Sequence, residues 1–429
     1  VLKFELLHPA EQLVMIMDRI YDYGMTTTSG GNLSILDDNG DIWITPSGID
    51  KGSLTPKDII CVKPDGTIEG IHKPSVELPF HIKIYQKRPG IKAIIHAHPP
   101  ALVAFSIVRK IPNTRLIPDA HLLCQPVGMA EYGLPGSEDL GNKIAAKFEE
   151  GCKTVMLENH GVVVGSEDLF KAFMAFETLD FCARLEINAS ILGTPIALTD
   201  REIDMAKHKQ NVKMDEFIPQ TFSSVERAAR QEMCKLIHRS YDQRLFNSTQ
   251  GTFSQRLDEN SFIITPYGVD RKYIEPADLV RIENNWKECG KNPSRSVMLH
   301  KYIYEKHPDI NSVIIAHPPN IMAFAVTDAK FKTKTIPESY IVLRNISKLP
   351  FGSSFMQPNM VANSIKKDTQ ILLIENDCII VTGDSLLNAF DRLEVAEYSA
   401  KAIISSKGLG DIVSINDEEV AEIEEAFNM

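Results

Sequence analysis

Two histidines stand one position apart at the end of an apolar run, Ile91-Lys92-Ala93-Ile94-Ile95-His96-Ala97-His98-Pro99-Pro100. Side chains alternate faces along a β-strand, so His96 and His98 point to the same side. Two imidazoles leaving one strand end together can share a metal ion, and the competing reading is a pair of solvated or core histidines. Two more residues extend the set: Glu77, in Lys73-Pro74-Ser75-Val76-Glu77 near a helix start, and His160, in Asn159-His160-Gly161. Singly, Glu77 reads as a helix-start charge and His160 as a turn residue. Together, three imidazoles and a carboxylate make a four-ligand site suited to zinc or a similar divalent ion. One ligand of such a set can swing away as a base or give way to substrate.

The elements that must position these groups follow from periodicity and turn chemistry. Pro9 to Tyr23 carries Leu13, Ile16, Met17 and Ile20 at helical spacing and is stopped by Gly24. The small-residue loop Thr26 to Ser34 feeds a strand, Asp37-Asp38-Asn39-Gly40 reads as a hairpin turn, and a second strand runs from Asp41 to Thr45. Ile59 to Val62 and Thr67 to Gly70 read as short strands, and a helix from about Val76 to Lys87 precedes the His-x-His strand. Ser137 caps a helix with acids in its first turn, ended by Gly151. Thr154 to Gly165 reads as strand, turn, strand, and a long helix follows from Ser166 to Ile191. Asp119 to Tyr132 has no clear period. Antiparallel hairpins with interspersed helices point to an α/β layered domain around a mixed, mostly antiparallel sheet. No Gly-x-Gly-x-x-Gly follows a strand, which argues against a Rossmann fold.

The same series then restarts beyond a charged connector, about 199–216. Gly251-Thr252-Phe253-Ser254 echoes Gly31-Asn32-Leu33-Ser34, Ile264-Thr265-Pro266 echoes Ile44-Thr45-Pro46, and Ser312 to Pro319 echoes the His-x-His strand. Thr265 lies 220 residues after Thr45, His317 lies 219 after His98, and Asn376 lies 217 after Asn159. A period this long makes each copy a whole domain, two tandem three-layer α/β/α units over 1–215 and 216–429.

At 429 residues the chain exceeds what one hydrophobic core normally supports, in keeping with two domains. A formal net charge of −11 argues against non-specific nucleic-acid binding. No apolar run reaches membrane-spanning length, and Val1 to Pro9 has no signal-peptide core. Seven scattered cysteines, never Cys-x-x-Cys, lead to the expectation of a reducing cytoplasm, not a disulfide framework or thiolate zinc site. The charged connector and the acidic tail (Asp417 to Glu425) read as solvated segments.

With these motifs in order over nearly all of residues 10–195, the first half resembles the class II (zinc-dependent) sugar-phosphate aldolase and adducin family, its fuculose-phosphate aldolases above all. The resemblance rests on Gly31-Asn32-Leu33-Ser34, Ile44-Thr45-Pro46-Ser47-Gly48, Lys73 to Glu77, His96-Ala97-His98 and Asn159-His160-Gly161. It implies one zinc per chain, held by His96, His98 and His160, with Glu77 as metal-linked carboxylate and general base. It also implies a phosphate cradle from Gly31, Asn32, Ser47, Gly48 and Ser75, where amides and hydroxyls suit a phosphate dianion. The implied reaction is cleavage or formation of a C–C bond in a phosphorylated ketose, giving dihydroxyacetone phosphate and an aldehyde. Glu at position 77 favours aldolase or dehydratase members over epimerases, in which Asp is usual.

The chain departs from the family pattern in two places. Val76 stands where a second serine is usual, and Arg115 to His121 lacks the tyrosine that a neighbouring subunit donates as proton donor; His121, Tyr132 and Tyr340 are the candidate substitutes. In the second half Ile315 replaces His96, Asp377 replaces His160, Ser296 replaces Glu77 and Thr252 replaces Asn32, leaving His317 alone. That half is expected to be non-catalytic. Because family active sites lie at the interfaces of a four-fold ring, a homo-oligomer is expected, with two duplicated chains forming a pseudo-four-fold ring of alternating live and dead sites. Two other readings stay open: another metal-dependent lyase, epimerase or decarboxylase on sugar phosphates, and an adducin-like scaffold without chemistry.

Overall fold

The computed structural model describes residues 3–209 and 211–427. Among these, the first half builds an eight-stranded sheet from β1 (Asn32–Leu36), β2 (Ile42–Ile44), β3 (Ile60–Val62), β4 (Ile68–Glu69), β5 (Ala93–Ala97), β6 (Val127–Ala130), β7 (Thr154–Leu157) and β8 (Val162–Ser166). Their order is β4-β3-β2-β1-β5-β8-β7-β6, with every pairing antiparallel except β6 beside β7. The helices are α1 (Pro9–Asp22), α2 (Leu78–Lys87), α3 (Pro100–Ile107), α4 (Pro118–Cys124), α5 (Glu138–Glu149) and α6 (Leu169–Leu192). The stretch without a clear period, Asp119 to Tyr132, is most of α4 followed by β6. Each is too short to show a period of its own.

Strand alternation sorts the side chains into two cores. Leu33, Ala93, Ile95, Val162 and Val164 pack with α1, α3 and α6, through residues such as Leu13, Met17, Leu102 and Phe173. Ile42, Ile44, Ile94, Val155 and Val163 pack on the opposite face with Phe80 and Ile84 of α2 and Ile144 and Phe148 of α5. This is the expected three-layer α/β/α arrangement. Helix α1 is set by Pro9 at its first turn and by a capping box between His8 and Glu11, and it buries the apolar stripe read from its spacing. His96 shares its face with Ile94, so β5 delivers it toward α2.

The second half repeats this plan. Its strands are β9 (Glu216–Phe217), β10 (Thr252–Arg256), β11 (Ser261–Ile264), β12 (Val280–Glu283), β13 (Trp286–Glu288), β14 (Ser312–Ala316), β15 (Ile346–Leu349), β16 (Ile371–Ile374) and β17 (Cys378–Gly383). The order β15-β16-β17-β14-β10-β11-β12-β13 reproduces the first sheet, and β9 adds a parallel edge strand beside β13. Register is kept to the residue: Asn32 pairs with His96 and Ser34 with Ile44, while Thr252 pairs with Ile315 and Ser254 with Ile264. The equivalences read from the repeat are therefore structural equivalences.

By packing, one compact unit takes in the chain up to Thr114 with Asp119–Arg184, and the other takes in Arg115–Pro118 and everything from Leu185 on. The charged connector is largely exposed, as expected, but it is not unstructured. It holds α7 (Asp200–Lys207), capped by Thr199 and Glu202, which buries Ile203 and Ala206, and its Lys209 reaches Asp377 in the second unit. The acidic tail is likewise a helix, Asp417–Ala426, capped by Asn416, and its Glu424 accepts a 2.6 Å hydrogen bond from the Tyr340 hydroxyl. Composition showed the charge of both segments but not the capping boxes' effect. No described helix is long and apolar enough to cross a membrane.

Candidate active site

His96, His98 and His160 converge. A ring nitrogen from each lies within 4.8 Å of the others, and His96 Nε2 stands 3.2 Å from His98 Nε2. The positions come from local backbone logic. Residues 96 and 98 share a face of the β5 end, and His160 sits on the turn between β7 and β8. Asn159 takes a left-handed φ of 55° there, a conformation asparagine tolerates better than most residues. A Cβ on Gly161 would lie 2.6 Å from both the Ala97 carbonyl oxygen and the His98 ring, so only glycine lets this turn close against the histidines.

Burial disfavours the charged form of all three imidazoles. The His96 and His98 pKa values fall to about 3, by desolvation first and then by the neighbouring imidazoles, and that of His160 is lowered for the same first reason. His96 Nδ1 contacts the Val162 carbonyl at 3.0 Å, and a carbonyl only accepts, so Nδ1 carries the hydrogen. The Nε2 lone pair of His96 therefore faces Glu77 Oε2, 3.3 Å away. Two acceptors face each other there, a pairing that a shared cation relieves. His160 Nδ1 and Glu77 Oε1 are also buried without a hydrogen-bond partner in the structure. A neutral three-imidazole set, an ionisable carboxylate and a ring oriented through a backbone carbonyl fit a divalent metal ion.

Glu77 is the N-cap residue of α2 and is buried. Its Oε2 accepts a 2.7 Å hydrogen bond from Asn32 Nδ2, and Asn32 Oδ1 lies 2.5 Å from His81 Nε2. His81 Nδ1 in turn contacts Ser34 Oγ at 2.7 Å, which contacts the Tyr85 hydroxyl at 2.6 Å. His81 and Tyr85 escape sequence reading, and Ser34 counts there only as part of the Gly31-to-Ser34 motif. A signal was present: His81 is one helical turn after Glu77, and Ser254, His300 and Tyr304 repeat the trio in the second half.

The residues expected to cradle a phosphate lie on three neighbouring stretches, around Gly31, Ser47 and Ser75. Pro46 bridges to Pro74, and the Ser47 N–H donates to Lys73 O at 2.9 Å, which brings Ser47 and Gly48 beside Ser75. Ser75 is buried, and its hydroxyl accepts from the Glu77 N–H at 3.3 Å. At Gly31, with φ +70°, a Cβ would lie 2.7 Å from the His96 carbonyl oxygen, so the loop passes close to the histidine strand. Asn32 spends both ends of its amide on Glu77 and His81. Beneath the 46–49 loop, buried Lys51 donates to the Pro46 and Ile49 carbonyls, and Arg271 takes the same role under Pro266 and Val269. Lys51 also escaped sequence reading, since a lysine in a polar loop looks solvated.

The equivalent place in the second half holds a different chemistry. Asp377 is buried, and its carboxylate accepts from Lys209 Nζ at 2.9 Å and from the Ser354 hydroxyl. Burial works to raise the Asp377 carboxyl, but the ammonium and the hydroxyl outweigh it and hold it below its ordinary value. Lys209 also stacks on the Phe355 ring at 4.5 Å. Thr252 turns its hydroxyl to Ser294, 2.8 Å away, and the carboxylate of Glu77 is replaced by the Ser296 hydroxyl.

Of the candidate proton donors, the Tyr340 hydroxyl is committed to Glu424. Tyr132 is exposed, just beyond β6, and His121 lies on α4.

The sequence profile of the family described as Class II Aldolase and Adducin N-terminal domain matches residues 11–187 and again 231–404. An L-fuculose phosphate aldolase from Methanococcus maripaludis is 34% identical over 176 residues, which is 41% of this chain and 93% of that protein. A 5-deoxy-D-ribulose 1-phosphate aldolase from Bacillus thuringiensis is 31% identical over 202 residues, 45% of this chain and 91% of that protein. A 3-oxo-tetronate 4-phosphate decarboxylase from Haemophilus influenzae is 33% identical over 198 residues, 45% of this chain and 93% of that protein.

Proposed function

Because this chain belongs to the class II aldolase and adducin family through both halves, we propose that it is a metal-dependent lyase acting on a phosphorylated ketose. The favoured reaction is aldol cleavage of a fuculose-1-phosphate-like sugar to dihydroxyacetone phosphate and an aldehyde. The observation that carries the reading is the pairing of the three neutral imidazoles with a buried carboxylate that has one oxygen held and one unpartnered. His96, His98 and His160, with Glu77 in reach of His96, would hold one divalent ion per chain, zinc being the ion best matched to this donor set. When bound, the ion supplies Lewis-acid polarisation of substrate oxygens.

The chain's own residues supply the rest. Glu77 takes or returns the proton on the phosphorylated three-carbon fragment, with Oε1 as the reacting oxygen. Gly31, Ser47, Gly48 and Ser75 fix the phosphate and so place the reacting carbons, while Asn32, its amide committed to Glu77 and His81, borders the cradle without binding through its side chain. Residues 1–215 are the catalytic half of the repeat. Residues 216–429 are the non-catalytic half, since Ile315, Asp377 and Ser296 cannot reproduce the ligand set. The protein is taken to act in the cytoplasm as a homo-oligomer, and a stable monomer in sedimentation would count against that assembly.

The second reading is decarboxylation of a phosphorylated 3-oxo acid. It is favoured by nearly equal similarity to a relative bearing that name, 33% against 34%. Both reactions break a C–C bond next to a carbonyl and need the same proton transfer, so the product separates them. The metal-loaded chain should be offered L-fuculose 1-phosphate, 5-deoxy-D-ribulose 1-phosphate and 3-oxo-tetronate 4-phosphate. Dihydroxyacetone phosphate as product supports the aldolase, and carbon dioxide supports the decarboxylase. No turnover by a protein that also binds no metal points to a scaffold.

A further inference from the structure

The hydrogen bonds that end on Glu77 can be assigned a single direction. A carboxylate oxygen only accepts, so the end of the Asn32 amide 2.7 Å from Glu77 Oε2 is the NH2. Its other end, Oδ1, also only accepts, so His81 Nε2, 2.5 Å away, carries a hydrogen. His81 is fully buried, and desolvation keeps it neutral, which leaves Nδ1 as an acceptor. The Ser34 hydroxyl therefore donates to His81 Nδ1 at 2.7 Å, and the Tyr85 phenol donates to Ser34 at 2.6 Å. Every donor from Tyr85 to Asn32 points toward Glu77. Reversing any one link would set two acceptors or two donors face to face in a buried site, at the cost of an unsatisfied polar group.

We infer that His81 is a positioning residue for Glu77: its fixed tautomer holds the Asn32 amide so that Glu77 Oε2 is pinned and Oε1 is left to the substrate. This rests on the reading of Glu77 as the base. His81 touches neither substrate nor the histidine cluster in this role; it acts through Asn32. Phe80 stacks on its ring at 4.4 Å and fixes the plane in which Nε2 points.

The second half supplies an internal reference. Ser254 Oγ contacts His300 Nδ1 at 2.6 Å and the Tyr304 hydroxyl at 2.6 Å, and His300 is as fully buried as His81. Thr252, in place of Asn32, turns instead to Ser294, and His300 Nε2 has no hydrogen-bond partner in the structure. The serine, histidine and tyrosine are thus kept where there is no carboxylate to position, so they serve the fold in both halves. What the first half adds is the link from the second ring nitrogen to Asn32. A substitution at His300 reports the structural cost of losing such a ring, and the same substitution at His81 reports that cost plus the link.

The test compares His81→Leu, His81→Gln and His300→Leu in the full chain loaded with zinc. Glutamine keeps a donor near the place of Nε2. Two readouts are taken: kcat and KM with L-fuculose 1-phosphate, and solvent exchange of the Asn32 side-chain amide protons by NMR. His81→Leu should lower kcat by roughly 10- to 100-fold with KM within about twofold, as small misplacements of a reacting group do. It should also abolish the slow exchange of the Asn32 amide. His81→Gln should restore most of both, and His300→Leu should change neither. Wild-type kcat or a still-protected Asn32 amide in His81→Leu overturns the assignment, as does an equal kcat loss in His300→Leu. Should the wild-type chain not turn over the sugar phosphate, the functional reading fails, while the Asn32 exchange pattern still decides the role of His81.

Discussion

His96 Nε2 and Glu77 Oε2 face each other across 3.3 Å, a ring lone pair against a carboxylate oxygen, because His96 has committed its one hydrogen to the Val162 carbonyl. Nothing in that pair is attractive until a cation lies between the two atoms. Zinc should therefore raise the melting temperature of the wild-type chain in proportion to the logarithm of its free concentration. Metal analysis should find one ion per 429-residue chain. His96→Ala should lose both the ion and the thermal shift. Two ions per chain, or none after resupply, would contradict the site.

Acid should weaken the metal-free protein through its buried histidines. In the folded state His96, His98 and His300 titrate near 3, and His81 and His160 are also lowered, each by desolvation first. Their ordinary value is about 6.5. Between those limits the unfolded chain binds more protons than the folded one, so stability is full above about pH 6.5 and is lost as pH falls toward 3. The slope is on the order of 1 kcal/mol per pH unit for each such histidine. Urea melts from pH 7 to pH 4 check this, and His300→Leu should flatten the curve. An unchanged slope in that variant would refute the assignment.

Lys209 and Asp377 should behave as a coupled pair. Removing the ammonium in Lys209→Met leaves a buried carboxylate uncompensated and should cost about 2 kcal/mol or more. Adding Asp377→Asn should recover much of that loss. A double-mutant cycle by denaturant melts measures the coupling, and additive effects would show the two are independent.

Asn376 is doubly committed. It holds a left-handed φ of 52°, and its Nδ2 donates to the Leu116 and Ile196 carbonyls at 2.9 and 2.8 Å. Asn376→Ala should destabilise the second unit by about 2–4 kcal/mol, from two stranded carbonyls and added backbone strain. Asn159→Gly, in the equivalent turn of the first half, should be tolerated, whereas Asn159→Val should displace His160 and reduce metal content. Calorimetry and metal analysis read the two outcomes, and a metal-replete Asn159→Val would show that the turn does not set His160.

The strand period was enough to place His96 and His98 on one face, and the repeated motifs were enough to align Thr252 with Asn32 and Ile315 with His96. Both signals are local, because side-chain alternation and turn residues act over a few positions. His81 and Tyr85 were hidden because an apolar helix makes a buried polar side chain look like core, and only their partners on β1 give them meaning. Lys209 was hidden for the opposite reason. A lysine in a charged connector looks solvated, and Asp377 lies 168 positions away. Asp119 to Tyr132 gave no period because it changes from helix to strand within a few residues.

The cation beside Asp377 has a further consequence, because it is part of the polypeptide. A bound ion is held against a pool, and its occupancy rises and falls with supply, chelators and competing metals. Lys209 instead reaches Asp377 at an effective concentration set by the covalent chain, which no change in the surrounding solution can dilute. A duplicated metalloprotein would ordinarily double its demand for metal. On the proposed reading this chain keeps two copies of the fold while only the first would depend on a metal supply, so scarcity would idle the first half and leave the second half's charge balance untouched.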